Sequence, residues 1–521
     1  MTQASTQPVR PGSLEHWAIT TPQQPAIHEG NRSLTWADWN AASNRLAQAL
    51  ADRGLAAGDI VAVSSQIRIE WAVLSGALAK LGCAILGVNW RLTPDEVSYV
   101  LANSGAKAFV CDATQPAPLL EAVRPLGLKL AVSIDVPATG FESWDELLGA
   151  PEVIRNSAAE APVIIYTSGT TGLPRGVAPP APKSQQHAMR MMEYAASITA
   201  NIPRADDDVT FVTLPFSHGA GPSLVKSSLT AGNTMVFQRR YEPEEALQLI
   251  EKHRITIWIS VPTMLKRMTG LPKEVLARYD VSSMRAIQTG AAPVPPSLKT
   301  WVIEHFGAHV LHEAYGATEV GMIAHLTPDM QLKKPTSSGF PNKHVEISVR
   351  GLGGEVVPEG ETGELWIRTP VTIRSYLNAP ELDASTLDAD GFFRTGDVGH
   401  IDQDGYVYIT DRAKDMIISG GVNIYPAEIE ATLIRHPAVL DVAVIGIPDD
   451  EFGEQVKAFV EVKPGHELSV SELLKFASEK LASYKRPKSV DIVAELPRNT
   501  VGKLLKRELR APYWEGRERH V

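Results

Sequence analysis

Hydrophobic positions in the first third of the chain follow two alternating periods. After Thr35, apolar residues recur every three or four positions as far as Leu50, and the pair Thr35 and Asp38 is typical of a helix start. The same spacing predicts helices over Trp71–Leu81 and Asp95–Ser104. Short apolar runs between these segments predict strands at Ile60–Ser64, Ala84–Val88, Ala108–Cys111 and Ala131–Ile134. Strands that alternate with helices predict a parallel sheet with right-handed crossovers.

The alternation returns in the middle of the chain. Three further apolar runs, with helical spacing between them, predict strands at Val209–Leu214, Thr234–Phe237 and Thr256–Ser260. We therefore expect residues 1–413 to form a large α/β domain of paired, mostly parallel sheets.

The pattern changes after about Phe340. Residues 345–410 are rich in Gly, Thr and β-branched residues with little helical spacing, which predicts a small antiparallel β subdomain. Residues 414–521 contain two helix and three strand patterns, enough for a separate α+β domain. The junction at Asp411–Asp415 is short and charged, so we expect a hinge there and a mobile C-terminal domain.

Composition narrows the class of protein. The 521 residues include 50 Lys and Arg against 60 Asp and Glu, a net charge of −10, and 44% are hydrophobic. This balance is typical of a globular chain and excludes an intrinsically disordered one. It also argues against nucleic acid as a partner. The two cysteines, Cys83 and Cys111, lie in apolar stretches, so we expect buried, inert thiols rather than a disulfide framework or a zinc site.

Targeting signals are not visible in the sequence. The first 13 residues are polar, without the apolar core of a secretory signal, and no long apolar run is free of charged residues. We therefore expect a cytoplasmic protein without integral membrane contact. The sequence leaves the oligomeric state open, including a homodimer.

The strongest chemical signal follows an apolar run that begins at Ile164. Six consecutive small polar or glycine residues come after it: Thr167, Ser168, Gly169, Thr170, Thr171 and Gly172. Glycines let backbone N–H groups approach a polyphosphate, hydroxyls add donors, and Arg175 brings a positive charge nearby. An ordinary glycine-rich turn is the weaker alternative. The pattern is not a Walker A loop, and the usual motifs of dinucleotide oxidoreductases, α/β-hydrolases and zincins do not occur.

Five motifs in order make the chain resemble a known family, the adenylate-forming superfamily of acyl- and aryl-CoA synthetases, luciferases and nonribosomal-peptide adenylation domains. The first is the phosphate loop itself. The others are YGATEVG (315–321), FRTGDVG (393–399), DRAKDMIISGGVNIYPAEIE (411–430) and PRNTVGKLLK (497–506). The resemblance covers nearly the whole chain.

The resemblance assigns roles around the nucleotide. It places Tyr315 on adenine, Thr318 on a phosphate oxygen and Glu319 on Mg²⁺, a metal that needs few carboxylates when phosphate oxygens are present. Without the resemblance, a second interpretation has equal support: Tyr315 is a surface aromatic residue and Glu319 a solvated acid. Gly290, Ala291 and Ala292 resemble the small-residue segment beside adenine and the acyl group, and room near Gly290 and Gly316 would allow an elongated acyl or aryl group.

Further roles concern the ribose and the reacting carboxylate. Asp397 matches the acid that binds both ribose hydroxyls, with Arg412 as its partner and Ile409 on the same side. An exposed Asp–Arg pair is the alternative. Lys503 matches the catalytic lysine of adenylation, because a mobile point charge can neutralise the carboxylate and the α-phosphate together. A solvated lysine would be the default outside this motif. His218 matches a position at the mouth of the acyl pocket, with a buried core histidine as its alternative.

The resemblance also implies a two-state movement. Lys414 occupies the hinge position, about which the C-terminal domain rotates after adenylation. The rotation withdraws Lys503 and presents Ser419, Gly420 and Gly421 to the pantetheine of CoA. Thr263 resembles another residue on the substrate side.

Two departures from the family stand out. Arg175 replaces the lysine that usually ends the phosphate loop. Residues 178–186 (APPAPKSQQ) contain three prolines where many relatives begin a helix, so we expect an extended surface segment.

The implied activity is ATP-dependent activation of a carboxylic acid, followed by transfer to CoA, with ATP, Mg²⁺ and CoA as cofactors and substrates. A fatty acid is the first expectation and an aryl acid the second. No carrier domain follows in the sequence, which favours free CoA. Two rivals stay open: an enzyme that loads a carrier protein, and a non-catalytic AMP-binding regulator.

Overall fold

The computed structural model describes most of the chain. The described residues are 8–112, 116–168, 173–292, 294–351, 353–420, 422–499 and 502–515.

Twenty-five strands are assigned within these ranges. In chain order they are β1 Pro25–Glu29, β2 Arg32–Thr35, β3 Ile60–Ser64, β4 Ala84–Val88, β5 Ala108–Cys111, β6 Leu130–Ser133, β7 Glu142–Ser143, β8 Val163–Ser168, β9 Pro174–Val177, β10 Val209–Val212, β11 Thr234–Phe237, β12 Ile257–Ile259, β13 Ala286–Gly290, β14 Leu311–Ala317, β15 Gly321–Leu326, β16 Phe340–Pro341, β17 Glu346–Arg350, β18 Gly363–Arg368, β19 Phe393–Ile401, β20 Val407–Arg412, β21 Ile417–Ser419, β22 Val422–Ile424, β23 Val439–Asp449, β24 Gly453–Val462 and β25 Ser489–Val493.

Fifteen α-helices are assigned within the same ranges. They are α1 Leu14–Thr20, α2 Trp36–Asp52, α3 Ile69–Leu81, α4 Pro94–Ser104, α5 Ala117–Val123, α6 Trp144–Leu148, α7 Gln185–Asn201, α8 Ala220–Ala231, α9 Pro243–His253, α10 Pro262–Thr269, α11 Lys273–Leu276, α12 Pro296–Phe306, α13 Pro426–Leu433, α14 Val470–Lys480 and α15 Lys506–Trp514.

Two large sheets form the first part of the molecule. One has nine strands in the order β16-β15-β14-β13-β12-β10-β11-β1-β2, and the other has seven in the order β7-β6-β5-β3-β4-β8-β9. Their central strands are parallel, and antiparallel pairs occur only toward the edges, as in β8 with β9 and β14 with β15. The predicted α/β class with mostly parallel sheets is confirmed.

Local sequence signals explain several element boundaries. Helix α2 begins after Thr35, whose Oγ1 accepts from the N–H of Asp38 at 3.1 Å, while the Asp38 carboxylate accepts from the N–H of Thr35 at 3.3 Å. Strands β3, β4, β5 and β11 have the bounds that the apolar runs predict. Strand β6 begins and ends one residue earlier than predicted, β10 ends two residues earlier, and β12 is shorter by one residue at each end.

Two smaller sheets follow. Strands β17 to β20 form a four-stranded antiparallel sheet in the segment where the sequence predicts a small β unit. The C-terminal domain has a five-stranded sheet, order β22-β21-β24-β23 with β25 beside β24, against which α13, α14 and α15 pack. This separate α+β domain also agrees with the sequence.

Aromatic side chains fill the core between the two large sheets. Trp36 stacks on Trp39 at 5.5 Å between ring centroids, and Phe216 stacks on Trp71 at 4.1 Å. Phe216 is therefore part of this core. Val320 packs in a second core beneath the small sheet. Both cysteines are buried and free, and burial raises the pKa of the Cys83 thiol to about 11.

The proline-containing segment is extended, as predicted, but it ends earlier than the sequence indicates. Ser184 caps α7 by accepting from the N–H of His187, so the helix begins at Gln185 and includes Gln186. The serine and not the last proline sets the helix start. Among the helices of the described ranges, none has both the length and the apolar character needed to cross a membrane.

Candidate functional site

Most predicted site residues lie where parallel strands end. In the nine-stranded sheet, β13 ends at Gly290 and β14 at Ala317, and β12 leads to Thr263. Strand β8 of the other sheet ends at Ser168. Ligands of open α/β sheets bind at such carboxyl ends. We call this region the cleft. Four predicted phosphate-loop residues lie outside the described residues: Gly169, Thr170, Thr171 and Gly172.

A buried carboxylate forms one side of the cleft. Asp397, on β19, is 3% exposed, and its Oδ1 lies 2.6 Å from Nε of Arg412 on β20. Its Oδ2 accepts from the Tyr315 hydroxyl at 2.6 Å. Each carboxylate oxygen has two acceptor sites, so the group keeps capacity for the ribose hydroxyls that the resemblance assigns to it. Ile409, on β20, is half-buried in the core beneath.

The tyrosine of this cluster stays neutral. Burial first, and then the negative charge of Asp397, raise the pKa of Tyr315 well above its ordinary value. Tyr315 therefore donates its proton in the hydrogen bond to Asp397. Gly316, near the end of β14, and Thr318, in the turn between β14 and β15, follow in the same stretch and are exposed.

A second acid lies beside the phosphate loop. Oε1 of Glu319 accepts from Oγ1 of Thr167 at 3.4 Å and from the hydroxyl of Tyr376 at 3.3 Å. The ring of Tyr376 carries the guanidinium of Arg175 at 5.1 Å from its centroid. Arginine stacks on aromatic faces in a way that lysine does not. The ring of Tyr376 is therefore a contact that suits Arg175 better than the lysine usual at this position in the family.

The residues present fit a magnesium ion. The described part of the chain has no group of three or more His, Cys, Asp or Glu side chains arranged for a metal. Magnesium, however, binds to one or two carboxylates together with substrate phosphates and water. Glu319, next to Thr167 of the phosphate loop, is a carboxylate of that kind.

The small-residue segment after β13 is tightly placed. A Cβ at Gly290 would overlap the carbonyl oxygen of Ala314 on β14, so only glycine fits there. Ala291 follows with φ at 63°, a conformation that costs energy for a residue with a Cβ, and it is exposed. Ala292 is half-buried beside it. Such strain is frequent at functional sites.

His218 lies in the turn before α8. It is half-buried, and its Nδ1 has no hydrogen-bond partner within the described residues. Burial and the positive charge of Lys503 lower the pKa of His218, so the ring is neutral at pH 7. An unpaired ring nitrogen in a buried setting is available to a ligand.

The Lys503 loop of the C-terminal domain docks against the large domain. Gly502 has φ at 75°, and a Cβ there would overlap the side chain of Thr263 on α10. The N–H of Lys503 donates to Oδ1 of Asn499 at 2.8 Å, which closes the loop. The loop thus brings Lys503 to the cleft. It contacts Thr263, the residue that the resemblance places on the substrate side.

The electrostatic setting of Lys503 reflects its neighbours in the cleft. Lys503 as a residue is exposed to solvent, but nearby protein atoms partly desolvate its ammonium group. This desolvation, with the positive charges of Arg412 and Lys414, lowers the pKa of Lys503 to about 8, while Asp397 acts in the opposite direction. Lys503, His218 and Asp397 therefore share one electrostatic environment.

The predicted CoA-side residues are not brought to the cleft. Ser419 pairs with Gly453, and the N–H of Gly420 donates to the carbonyl of Phe452 at 2.8 Å, both within the C-terminal sheet. Gly421 lies outside the described residues. Lys414 lies in a 3₁₀ turn, Ala413–Asp415, directly after β20. On the C-terminal domain, Lys503 thus lies at the cleft, whereas Ser419 and Gly420 lie within the C-terminal sheet.

Sequence reasoning missed Tyr376 altogether. It lies in a stretch without a motif, SYLNAP, and only its contacts with Glu319 and Arg175 indicate a role. It also missed the ion pair between Lys266 of α10 and Asp441 of β23, at 3.1 Å, which joins the two domains. Neither has a signal that a single sequence could show.

Comparison with family models decides the relationship. The model described as AMP-binding enzyme matches residues 14–377, and the model of the AMP-binding enzyme C-terminal domain matches residues 428–503. The chain belongs to the AMP-binding enzyme family. The resemblance stated from the five motifs is confirmed.

Relatives of known name agree across almost the whole chain. The long-chain-fatty-acid–CoA ligase FadD13 of Mycobacterium tuberculosis is 36% identical, over 96% of this chain and 97% of that protein. The 2-succinylbenzoate–CoA ligase of Geobacillus kaustophilus is 34% identical, over 96% and 97%. A fatty acid–[acyl-carrier-protein] ligase of Streptomyces coeruleorubidus is 33% identical, over 96% and 95%.

Solved structures share the fold. The o-succinylbenzoate CoA synthetase of Bacillus subtilis, in complex with its acyl-adenylate intermediate, is 30% identical with a TM-score of 0.80, over 96% of this chain and 98% of that one. ATP-bound MatB of Rhodopseudomonas palustris is 30% identical with a TM-score of 0.83, over 97% and 99%. The cleft of this AMP-binding enzyme thus combines the buried carboxylate of Asp397, a second carboxylate suited to a metal, Glu319, and Lys503 from the C-terminal domain.

Proposed function

We propose that this AMP-binding enzyme is an ATP-dependent carboxylic acid–CoA ligase. In the first step a carboxylate oxygen of the acid attacks the α-phosphorus of ATP, and the bond to pyrophosphate breaks. In the second step the thiol sulfur of CoA attacks the acyl carbonyl, its proton is lost, and AMP leaves. The observation that carries the proposal is the docking of the Lys503 loop on Thr263, beside His218 and Asp397.

The cleft residues divide the first step among them. Asp397, supported by Arg412 and Tyr315, binds the ribose, since a buried ionised carboxylate is a strong bidentate acceptor. Lys503 neutralises the two anions that must meet. Glu319 holds Mg²⁺, which supplies positive charge to the phosphate oxygens when it is bound.

The remaining residues shape the acyl side and the phosphate loop. Neutral His218, with its unpaired Nδ1, closes the slot for the substrate carboxylate. Thr318, Arg175 and the loop residues contact phosphate, and the segment from Gly290 to Ala292 lies along adenine and the acyl group.

The second step requires a different face of the C-terminal domain. Lys503 lies at the cleft while Ser419 and Gly420 are paired inside the C-terminal sheet. We assign the division of the chain to residues 1–413 and 414–521 and the hinge to Lys414. Rotation there removes Lys503 and brings residues 419–421 to CoA, because the two steps need different partners at one carbonyl.

The substrate we propose is a fatty acid, with an aryl acid as the second class. Two of the relatives above are named for fatty acids and one for an aromatic acid. A place in fatty acid metabolism and a cytoplasmic location are parts of the same proposal.

A carrier protein in place of CoA is the second candidate for the acyl acceptor. The relative named as an acyl-carrier-protein ligase favours it, because it matches 96% of this chain. The two candidates share the first step and differ only in the thiol that takes the acyl group.

A panel of acids tests the proposal. The purified protein is incubated with ATP, Mg²⁺ and CoA and with fatty or aryl acids, and products are identified by mass spectrometry. We expect AMP, pyrophosphate and an acyl-CoA with at least one acid. Acid-dependent ATP–pyrophosphate exchange without acyl-CoA would favour the carrier protein. Tight AMP binding without exchange for any acid would contradict the ligase proposal.

A further inference from the structure

A groove of about 730 Å³ lies along the segment that follows β9 and has no role in the reaction described above. One wall is the proline-containing segment after β9, from Ala178 to Ser184. The opposite wall is the chain between Arg368 and Ala379, after β18. The segment for which the sequence offered no function is thus the wall of a preformed cavity.

The inner end of the groove touches the cleft. Tyr376 and Ile373 both line the groove. The Tyr376 hydroxyl donates to the Glu319 carboxylate at 3.3 Å, and the N–H of Ile373 donates to the Glu319 carbonyl at 3.0 Å. Two residues that line the groove are thus hydrogen-bonded to Glu319, whose carboxylate we assign to Mg²⁺.

The groove is basic in a chain whose net charge is −10. Four cationic side chains line it, and we call it the basic groove after them: Lys183, Arg190, Arg368 and Arg374. Asp390 is the acid that lines it, and Glu346 outside pairs with both Arg190 and Arg368. Positive charge therefore exceeds negative charge along its walls.

Two of the four cations lack a carboxylate partner. Within the described ranges, neither Lys183 nor Arg374 forms an ion pair within 4 Å. Partial burial and the neighbouring charge of Arg374 lower the pKa of Lys183, while Glu381 acts in the opposite direction. Lys183 and Arg374 are thus two like charges held near each other with no carboxylate at ion-pair distance among the described residues, an arrangement that favours an anion.

The walls are fixed to each other. His187, at the start of α7, accepts at Nδ1 from the N–H of Lys183 at 3.0 Å and donates from Nε2 to the carbonyl of Pro370 at 2.8 Å. The three prolines stiffen the same segment. A site that is already ordered loses little conformational entropy when a ligand binds.

We propose that the basic groove binds a diphosphate group, with Lys183 and Arg374 as its principal contacts. The proposal rests on the ligase function for the source of that group, which is either the pyrophosphate released in the first step or the diphosphate of CoA. The contact of Tyr376 with Glu319 favours pyrophosphate, because it places the groove next to the end of the nucleotide from which pyrophosphate leaves.

A double variant, Lys183→Ala with Arg374→Ala, tests the proposal. Its control is Lys333→Ala with Arg435→Ala, which removes the same charge from two exposed positions outside the groove. We expect the KM for pyrophosphate in ATP–pyrophosphate exchange to rise about fivefold or more in the groove variant, with the KM for ATP unchanged. A rise confined to the KM for CoA, in the thioester assay, would instead identify the diphosphate of CoA.

Direct binding separates this inference from the ligase proposal. Calorimetric titration with inorganic pyrophosphate needs no turnover, and we expect weaker binding in the groove variant than in the control, even if no acid is activated. Melting temperatures of both variants check that the fold is intact. Unchanged titrations together with unchanged KM values for pyrophosphate and CoA would overturn the proposal.

Discussion

At the residue scale, two carboxylates of the cleft are positioned by hydrogen bonds from neutral tyrosine side chains. The hydroxyl of Tyr315 fixes Asp397, and the hydroxyl of Tyr376 fixes Glu319. Each tyrosine is a donor to a carboxylate, so each keeps an acceptor aimed into the cleft without adding charge. The acids are recognisable in the sequence because they lie in motifs, whereas Tyr376 is recognisable only from its contacts.

The role of Tyr376 can be tested with Tyr376→Phe. The variant keeps the ring under Arg175 but loses the hydrogen bond to Glu319. Because hydrogen bonds to charged groups contribute about 1.5–3 kcal/mol, we expect half-maximal exchange to need about ten times more Mg²⁺ or more. Tyr279→Phe is the control, since it removes a similar bond to Glu244 outside the cleft. An unchanged Mg²⁺ requirement would show that Tyr376 does not position Glu319.

The low pKa of Lys503 predicts the pH dependence of adenylation. The ammonium form is the one that neutralises anions, and it predominates below pH 8, because the pKa is about 8 in the free protein. We expect kcat/KM for ATP to fall as pH rises through 8. Lys503→Arg keeps its charge over this range, so whatever activity it retains should not show that fall. A wild-type profile that stays flat to pH 9.5 would disprove this assignment.

At the element scale, α15 connects the Lys503 motif to the hinge. Nζ of Lys506 lies 2.8 Å from Oε1 of Glu430 on α13, and Arg510 pairs with Asp415 at 2.6 Å. Asp415 belongs to the turn that contains Lys414. The helix therefore joins the hinge to the body of the C-terminal domain through charges that are mostly shielded from water.

Removal of one charge from this element should cost stability. Lys506→Met leaves the Glu430 carboxylate without its counterion in a largely buried place, and we expect a loss of about 3 kcal/mol in the free energy of unfolding. Lys475→Met, at an exposed position of α14, is the control and should change little. Calorimetric melting of both variants gives the comparison. Equal melting temperatures would mean that the pair is not needed.

Periodicity and capping explain which elements could be predicted. The strands β3, β4, β5 and β11 are buried apolar runs, and α2 has a complete capping box, so local signals suffice. Helix α7 could not be placed, because its start depends on Ser184 after three prolines. The site residues that the sequence could propose are those that lie in a motif, and their roles stay predictions. The basic groove and the contacts of Tyr376 form between segments that are distant in sequence. A single sequence does not show that such segments lie together.

At the scale of the whole molecule, we propose that the orientation of the two domains determines which step the cleft can perform. The docked Lys503 loop is one contact between them, and the pair of Lys266 with Asp441 is another, at 3.1 Å. Arg498 of the same loop also pairs with Asp441. We propose that the two contacts between the domains stabilise the orientation suited to adenylation.

Lys266→Ala should shift the balance between the two orientations. It removes the cation of the large domain from Asp441, so we expect adenylation to slow about two- to fivefold. Thioester formation from supplied acyl-adenylate should be unchanged or faster. Lys273→Ala, an exposed change on the neighbouring α11, is the control. Slowing of both half-reactions to the same degree would argue against an effect on orientation.

The separation of the two half-reactions in Lys503→Ala is the decisive measurement for the proposed rotation of the C-terminal domain. One assay measures acid-dependent ATP–pyrophosphate exchange, and the other measures acyl-CoA formed from CoA and synthetic acyl-adenylate. We expect the variant to lose exchange almost completely and to keep the thioester step near the wild-type rate. Equal loss of both half-reactions would contradict the claim that one cleft performs two steps with different faces of a rotating domain.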